Sequence, residues 1–224
     1  GRVLSDALFP PTCGGCGDEG SWLCRLCALR FQPILDQCFG CRRPSPDGRF
    51  CFSCSGLWPI DGVAAAASYA EPVVRSAIRR LKYHYASQLG AALAVPLSVA
   101  VRIHSRETQN PVLVPIPLAW QRLRWRGFNQ SVVLTQGVRR HVDLSLVEAL
   151  QRIRNTHTQV ELPHEERPSN VANAFRVTPG VTISGQDVIL IDDVATTGST
   201  LRAAAEACRA AGARKVFASV LAIG

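Results

Sequence analysis

The sequence predicts an α/β protein: a mainly parallel sheet flanked by helices, preceded by a small Cys-rich metal-binding domain. Three observations carry that prediction. From about residue 60 onward, short apolar runs alternate with amphipathic stretches, the order of a parallel sheet covered on both faces. Eight of the nine cysteines lie before residue 55, arranged as four Cys-x-x-Cys pairs. The peptide VILIDDVATTGST at 188–200 passes from an apolar strand through two carboxylates into a hydroxyl-rich turn and a helix start. At 224 residues, 47% hydrophobic and 19% charged, the chain can bury a real core, which excludes wholesale disorder. The composition break puts the domains at 1–58 and 59–224.

In the first domain the pairs are Cys13/Cys16, Cys24/Cys27, Cys38/Cys41 and Cys51/Cys54. A two-residue spacing lets both thiolates of a knuckle point at one ion, and Gly14, Gly15, Gly17 and Gly40 suit its tight turn. Eight thiolates supply two tetrahedral sites, and no His occurs before residue 84, so the sites are expected to be all-cysteine. Zinc is the favoured ion, with iron–sulfur as the alternative. A disulfide scaffold needs an oxidising compartment, and a redox Cys-x-x-Cys usually comes singly. Sequential pairing of the knuckles is favoured over an interleaved cross-brace. So small a piece with few aliphatics depends on metal for its fold. The ninth cysteine, Cys208, sits in an Ala-rich helix that Gly212 ends, and reads as a small buried thiol.

In the second domain the pattern predicts a strand over 63–69 and a helix over 72–81. A helix over 88–103 follows, with Pro96 placed to split or bend it. Next come a buried strand at 112–114, a helix over 131–141, a strong strand at 187–191, a helix over 199–211 and a closing strand over 216–223. Residues 151–173 are polar, contain Pro163 and Pro168, and read as a linker or a mobile active-site loop.

In such a sheet Asp192 and Asp193 fall at the carboxyl end of a strand, where ligands bind. The turn from Ala195 to Thr200 offers backbone N–H groups and four hydroxyls at a helix N-terminus, which suits a phosphate. Two carboxylates beside it suit a sugar diol or a hydrated Mg²⁺, so the expected ligand carries both a polyol and a phosphate. A solvated βα turn explains the hydroxyls but not the carboxylate pair. Residues Val114-Pro-Ile-Pro117 stiffen the loop after the 112–114 strand. Arg122, Arg124 and Arg126 alternate, so an extended segment would set three guanidiniums on one face, beside a diphosphate or a nucleic-acid backbone. Trp120, Trp125 and Phe128 are interleaved with them and suit base stacking or ordinary packing.

The peptide at 188–200 resembles the signature of type I phosphoribosyltransferases. Leu81-Lys82-Tyr83, Val114-Pro-Ile-Pro117, Arg126-Gly-Phe-Asn-Gln130, Thr156-x-x-Gln159 and Arg167-x-x-Asn170 follow one another in order. Together with the double cysteine module, they make the chain similar to the ComF (ComFC) family of natural-competence proteins over nearly its whole length. The resemblance implies a phosphoribosyltransferase-like fold that binds 5-phosphoribosyl-1-pyrophosphate with Mg²⁺. Asp192 and Asp193 would meet the ribose hydroxyls, while Ala195, Thr196, Thr197, Gly198, Ser199 and Thr200 would wrap the 5-phosphate. Pro115, Ile116 and Pro117 would hold the diphosphate, with Arg126, Arg152, Gln159 and Arg167 as candidate catalytic residues around it. Thr156 is a further candidate of that loop, whereas His157 and His164 read as its surface.

The same resemblance implies a role in taking up or processing single-stranded DNA beside a helicase and other uptake proteins. Two other readings stand beside it: an active phosphoribosyltransferase with an unidentified acceptor, and a zinc-ribbon adaptor on a phosphate-binding scaffold. No apolar run reaches membrane-spanning length and no leader pattern opens the chain, so a cytoplasmic location without membrane insertion is expected. The net charge is +8, but residues 72–142 alone carry eleven basic residues against Glu107. That polarity places the positive face beside the expected diphosphate site.

Overall fold

The computed structural model describes residues 10–83, 86–153 and 174–224. Two cysteine lobes open the chain, each closing on a single helical turn: α1 (Arg25–Ala28) and α2 (Phe52–Ser55). Cys24 and Cys51 occupy the equivalent N-cap position of those turns, so the two lobes are built alike.

The α/β part runs β1 (Gly62–Ser68), α3 (Pro72–Tyr83), α4 (Ala86–Arg106), β2 (Val112–Pro115), α5 (Trp120–Arg126) and α6 (Gln130–Val138). It continues with β3 (Leu150–Arg152), β4 (Phe175–Val177), β5 (Asp187–Ala195), α7 (Ser199–Ala210) and β6 (Lys215–Ile223). Strands β1, β6, β5 and β2 form a parallel sheet in that order, and β3 pairs antiparallel with β4 as a separate ribbon.

Central strand β5 shows how the layers form. Its residues 188–191 are apolar without alternation because both faces are covered there. Ile189 and Ile191 pack with Leu81, Leu93, Leu97 and Leu134 from α3, α4 and α6. Val188 and Leu190 face the opposite core, with Leu201, Ala204 and Cys208 of α7. Burying each such side chain contributes about 2 kcal/mol. Cys208 is fully buried there, and burial pushes its thiol up to about 12.

Both cysteine lobes feed side chains into these cores. Phe31, after α1, joins the α4 side, while Cys38, Phe39, Phe50, Cys54 and Ile60 join the α7 side. The 58/59 boundary therefore crosses a shared core.

Several elements differ from the sequence pattern in extent. Helix α4 runs through Pro96 unbroken, because Leu89, Leu93, Leu97 and Val101 on both sides of it are buried and hold the axis. Strand β5 continues past residue 191 to Ala195, and α3 extends two residues to Tyr83. Gln151 and Arg152, expected in the polar loop, belong to β3, which the pairing Leu150↔Val177 and Arg152↔Phe175 aligns with β4. The segment of Arg122, Arg124 and Arg126, expected to be extended, is helix α5. Pro117 before it and left-handed Gly127 after it frame seven residues without a β-branched side chain, so the helix wins.

Candidate functional site

Strand β2 pairs with β5 only as far as Pro115↔Ile191, while β5 stays paired with β6 through Ala195↔Ile223. Among the described residues β5 therefore has one neighbouring strand from Asp192 onward, and a cleft of about 520 Å³ opens on the side that β2 leaves. This is the carboxyl end of the sheet, where open α/β folds bind ligands.

Asn129 holds the gap open. Its side-chain oxygen caps α6 by accepting from Ser131 N–H, and its Nδ2 donates to the Ile116 carbonyl at 3.0 Å. A continuing ladder would give that carbonyl to the Asp193 N–H, which instead donates to the Asp192 side chain at 2.9 Å. Asp192 also accepts from Ser131 Oγ–H at 2.9 Å, so its carboxylate is fixed from two sides. Burial, and next the Asp193 carboxylate, raise the Asp192 carboxyl to about 7. The Asp193 N–H, the Ser131 hydroxyl and Lys82 oppose that rise. Lys82, from α3, reaches Asp193 Oδ2 at 2.8 Å.

Arg122, Arg126 and Arg152 line the same cleft as the two carboxylates. Arg126 donates to Gln130, the first residue of α6, and its guanidinium lies 6.0 Å above the Tyr83 ring. Arg152 lies 5.3 Å above the Phe175 ring, so the β3–β4 ribbon presents it to the cleft. Burial lowers both guanidiniums from their usual range, and positive Arg122 adds to each shift. A cleft that crowds guanidiniums in this way favours an anion.

The floor is the turn between β5 and α7. Thr196 and Thr200 line the cleft directly. Thr197 Oγ1 lies 3.1 Å from Ser199 Oγ and accepts from Ser199 N–H, and Gly198 enters α7 in the left-handed conformation at φ 74°. Gly198 supplies no side-chain cap, so the first-turn N–H groups of α7 meet the turn itself.

Of the residues singled out from sequence, the structure brings together Ile116, Pro117, Arg122, Arg126, Arg152, Asp192, Asp193, Thr196 and Thr200 on this one cleft. Pro115 pairs beneath it, and Ala195, Thr197, Gly198 and Ser199 build the turn. Arg124 does not join them. On a helix it lies roughly 200° from Arg122, and it stacks 5.9 Å above the ring of exposed Trp120 instead. Thr156, Gln159 and Arg167 lie outside the described residues. Lys82, Ser131 and Gln130 acquire site roles that sequence reasoning did not give them. Their partners are remote in sequence; the signals were that Lys82 is the centre of the Leu81-Lys82-Tyr83 motif and that Gln130 ends the Arg126-Gly-Phe-Asn-Gln130 motif, with Ser131 next to it.

Each cysteine lobe gathers its four thiols. Cys13, Cys16, Cys24 and Cys27 form one group and Cys38, Cys41, Cys51 and Cys54 the other, with all sulfurs of a group within 4.8 Å. The pairing is sequential. Sγ separations of 3.9 Å for Cys16–Cys24 and 3.6 Å for Cys41–Cys51 bracket the edge of about 3.8 Å that a tetrahedral ZnS₄ site requires. Burial opposes thiolate formation at Cys13, but N–H groups of Cys24, Cys16 and Gly15 outweigh it and bring the thiol to about 6. Cys38 repeats the pattern, at about 7, with N–H groups of Cys51, Cys41 and Gly40. The donor set and geometry fit zinc.

The fold and cleft define a phosphoribosyltransferase-like α/β domain carrying two Cys₄ lobes, and the family model described as the phosphoribosyl transferase domain matches residues 128–223. The chain is 34% identical over 194 residues to DNA utilization protein YhgH of Escherichia coli strain K12, across 81% of this chain and 82% of that one. It is 29% identical over 211 residues to competence protein F of Haemophilus influenzae, across 92% of this chain and 82% of the relative. The chain belongs to the ComF family of competence and DNA utilization proteins. Among solved structures, a glutamine phosphoribosylpyrophosphate amidotransferase from B. subtilis matches at TM-score 0.38 and 18% identity, over 59% of this chain and 26% of that one. No helix among the described residues is long and apolar enough to cross a membrane.

Proposed function

We propose that the cleft binds 5-phosphoribosyl-1-pyrophosphate and that the protein uses this ligand while handling incoming single-stranded DNA. One observation carries the reading: a fixed carboxylate pair, hydroxyls of the turn that leads into a helix, and three arginines line a single cleft. The ligand has the matching sequence of groups. Asp192 and Asp193 accept from the ribose 2- and 3-hydroxyls, and residues 195–200 donate to the 5-phosphate. Arg122, Arg126 and Arg152 neutralise the diphosphate, with the Pro115–Pro117 loop beneath it, and Gln159 and Arg167 are assigned to the same diphosphate. Lys82 is drawn from Asp193 toward the new negative charge. Both carboxylates already have protein donors, so Mg²⁺ fits best on the ligand's own oxygens, where it supplies counter-charge to the diphosphate. If the site turns the ligand over, the bond from C1 to the diphosphate breaks and one to an acceptor forms. Arginine charge then stabilises the leaving diphosphate.

Eight cysteines held as metal-binding thiolates suit a reducing compartment, which supports a cytoplasmic location, and the competence and DNA utilization relatives suggest a helicase and other DNA-uptake proteins as partners. A DNA strand has its own surface next to the cleft: Trp120 and Trp125 of α5 are 62% and 72% exposed, with Arg124 over the first. Stacking faces interleaved with arginine suit unpaired bases.

Calorimetric titration of the zinc-loaded protein with 5-phosphoribosyl-1-pyrophosphate and Mg²⁺ tests the reading. Binding by the wild type, abolished in Asp192→Ala/Asp193→Ala, is expected. Equal binding by both would overturn the site assignment.

A further inference from the structure

The second cysteine lobe touches the phosphate turn at both of its ends. At the helix end, Gly198 lies against two aromatic rings of that lobe. A Cβ there would meet a Phe39 ring carbon at 2.5 Å and Trp58 ring carbons at 2.9 and 3.0 Å. The next turn of α7 is clipped to the same ring, with the Arg202 guanidinium 4.3 Å above Trp58. At the strand end, Arg42 donates to the Gly224 carbonyl at 2.7 Å, and the Gly224 N–H donates to the Ala195 carbonyl at 2.9 Å. The Arg42 guanidinium in turn lies 5.1 Å above Phe39.

These aromatics are set by the Cys₄ group itself. Phe39 and Gly40 lie between ligands Cys38 and Cys41, and Phe50 precedes Cys51. Trp58 stacks on Phe50 at 5.2 Å and meets Phe39 edge-on at 5.6 Å. Gly40 is pressed between Cys54 Sγ and Trp58 Nε1, which a Cβ would meet at 3.1 and 3.2 Å. Among the described residues, the contacts of the first lobe run elsewhere. It docks on α3 and α4, through Arg80 to the Cys13 carbonyl, Ser76 to the Gly14 carbonyl, and Gly14 against Leu89.

We infer that Phe39, Trp58 and Arg42 are positioning residues for the phosphate turn, and that metal in the second lobe alone holds the turn in its binding conformation. The physical reason is the conformation of Gly198. A left-handed glycine has many alternatives when free, and its N–H direction sets the entry of α7. Packing two rings and a cation–π contact on its outer side removes those alternatives before ligand arrives, so binding does not spend free energy on ordering the turn. The inference rests on the ligand reading above only for what the turn binds. The mechanical coupling stands without it.

The test uses the full zinc-loaded chain. Trp58→Leu keeps all eight thiols and is expected to retain two zinc ions. Its amides at 199–203 should exchange with deuterium at least tenfold faster, while those of 188–191 stay slow. Its affinity for 5-phosphoribosyl-1-pyrophosphate with Mg²⁺ should fall at least tenfold. Cys41→Ser/Cys51→Ser should give the same local pattern, and Cys16→Ser/Cys24→Ser should not. Unchanged exchange at 199–203 in Trp58→Leu overturns the inference, as does an equal rise over 188–191. Faster local exchange in a protein whose wild type fails to bind the sugar diphosphate supports the coupling and overturns the ligand assignment instead.

Discussion

Lys82 Nζ lies 2.8 Å from Asp193 Oδ2, joining the end of α3 to the carboxylate pair in the cleft. The Asp193 side chain is 8% exposed, so water has little access to its end of the pair. Removing one member of a pair like this leaves the other uncompensated. Lys82→Met is expected to destabilise the protein by about 2 kcal/mol, the lysine being partly exposed. Adding Asp193→Asn should recover most of that loss. Urea denaturation of the two single variants and the double variant measures the coupling, and additive losses would refute it.

His104 makes stability pH-dependent below neutrality. It is fully buried on α4, stacked 4.6 Å from Phe217, with Nδ1 3.1 Å from Ser219 Oγ. Burial lowers its imidazole to about 3; the Asp47 backbone opposes this and Arg49 reinforces it. Because the folded value lies below the unfolded 6.5, the unfolded chain takes up the proton first as pH falls. The contribution is complete above about pH 6.5 and is lost progressively toward pH 3. Relative to His104→Leu, the wild type should lose about 2 kcal/mol between pH 7 and pH 5, read by chemical denaturation at each pH.

Metal analysis should return two zinc ions per chain, one for each Cys₄ group. Cys51→Ser should return one. Strong chelation should lower stability by several kcal/mol, of order 10 °C in thermal midpoint, because both lobes feed side chains into the sheet's cores. A midpoint unmoved by chelation would contradict that coupling.

Helix α5 separates two sets of arginines. Arg122→Ala or Arg126→Ala should weaken sugar-diphosphate binding about tenfold, each losing a charge-assisted contact. Arg124→Ala should leave that affinity alone and reduce the salt slope of single-stranded DNA binding by about 1. Calorimetry and fluorescence anisotropy read the two effects separately, and a common response to all three would erase the division.

What the sequence made legible followed from local chemistry. The β5–α7 unit was readable because a buried apolar run, two carboxylates and a glycine turn are contiguous, and the thiol knuckles because their spacing is short. Helix α5 is not legible locally, because arginines at every second position match a strand period and seven residues are too few to show a helical one. Strands β3 and β4 have three residues each, too few for any period, and owe their pairing to each other. Lys82 lies in a motif and Ser131 just after one, but nothing local says what either side chain meets. Their roles come from the side chains that α3 and α6 bring them to, which no local pattern records.

The early end of β2 also bears on solubility. Among the described residues no strand pairs with β5 on the β2 side from Asp192 to Ala195, which leaves peptide groups that an extended segment of another chain could zip onto. Pro115 and Pro117 lack the amide hydrogens that zipping needs, and the Ile116 carbonyl between them is taken by Asn129. The Asp193 amide is folded back onto its neighbour's carboxylate. The groups that leave room for a small anionic guest therefore also disfavour a peptide in the same opening.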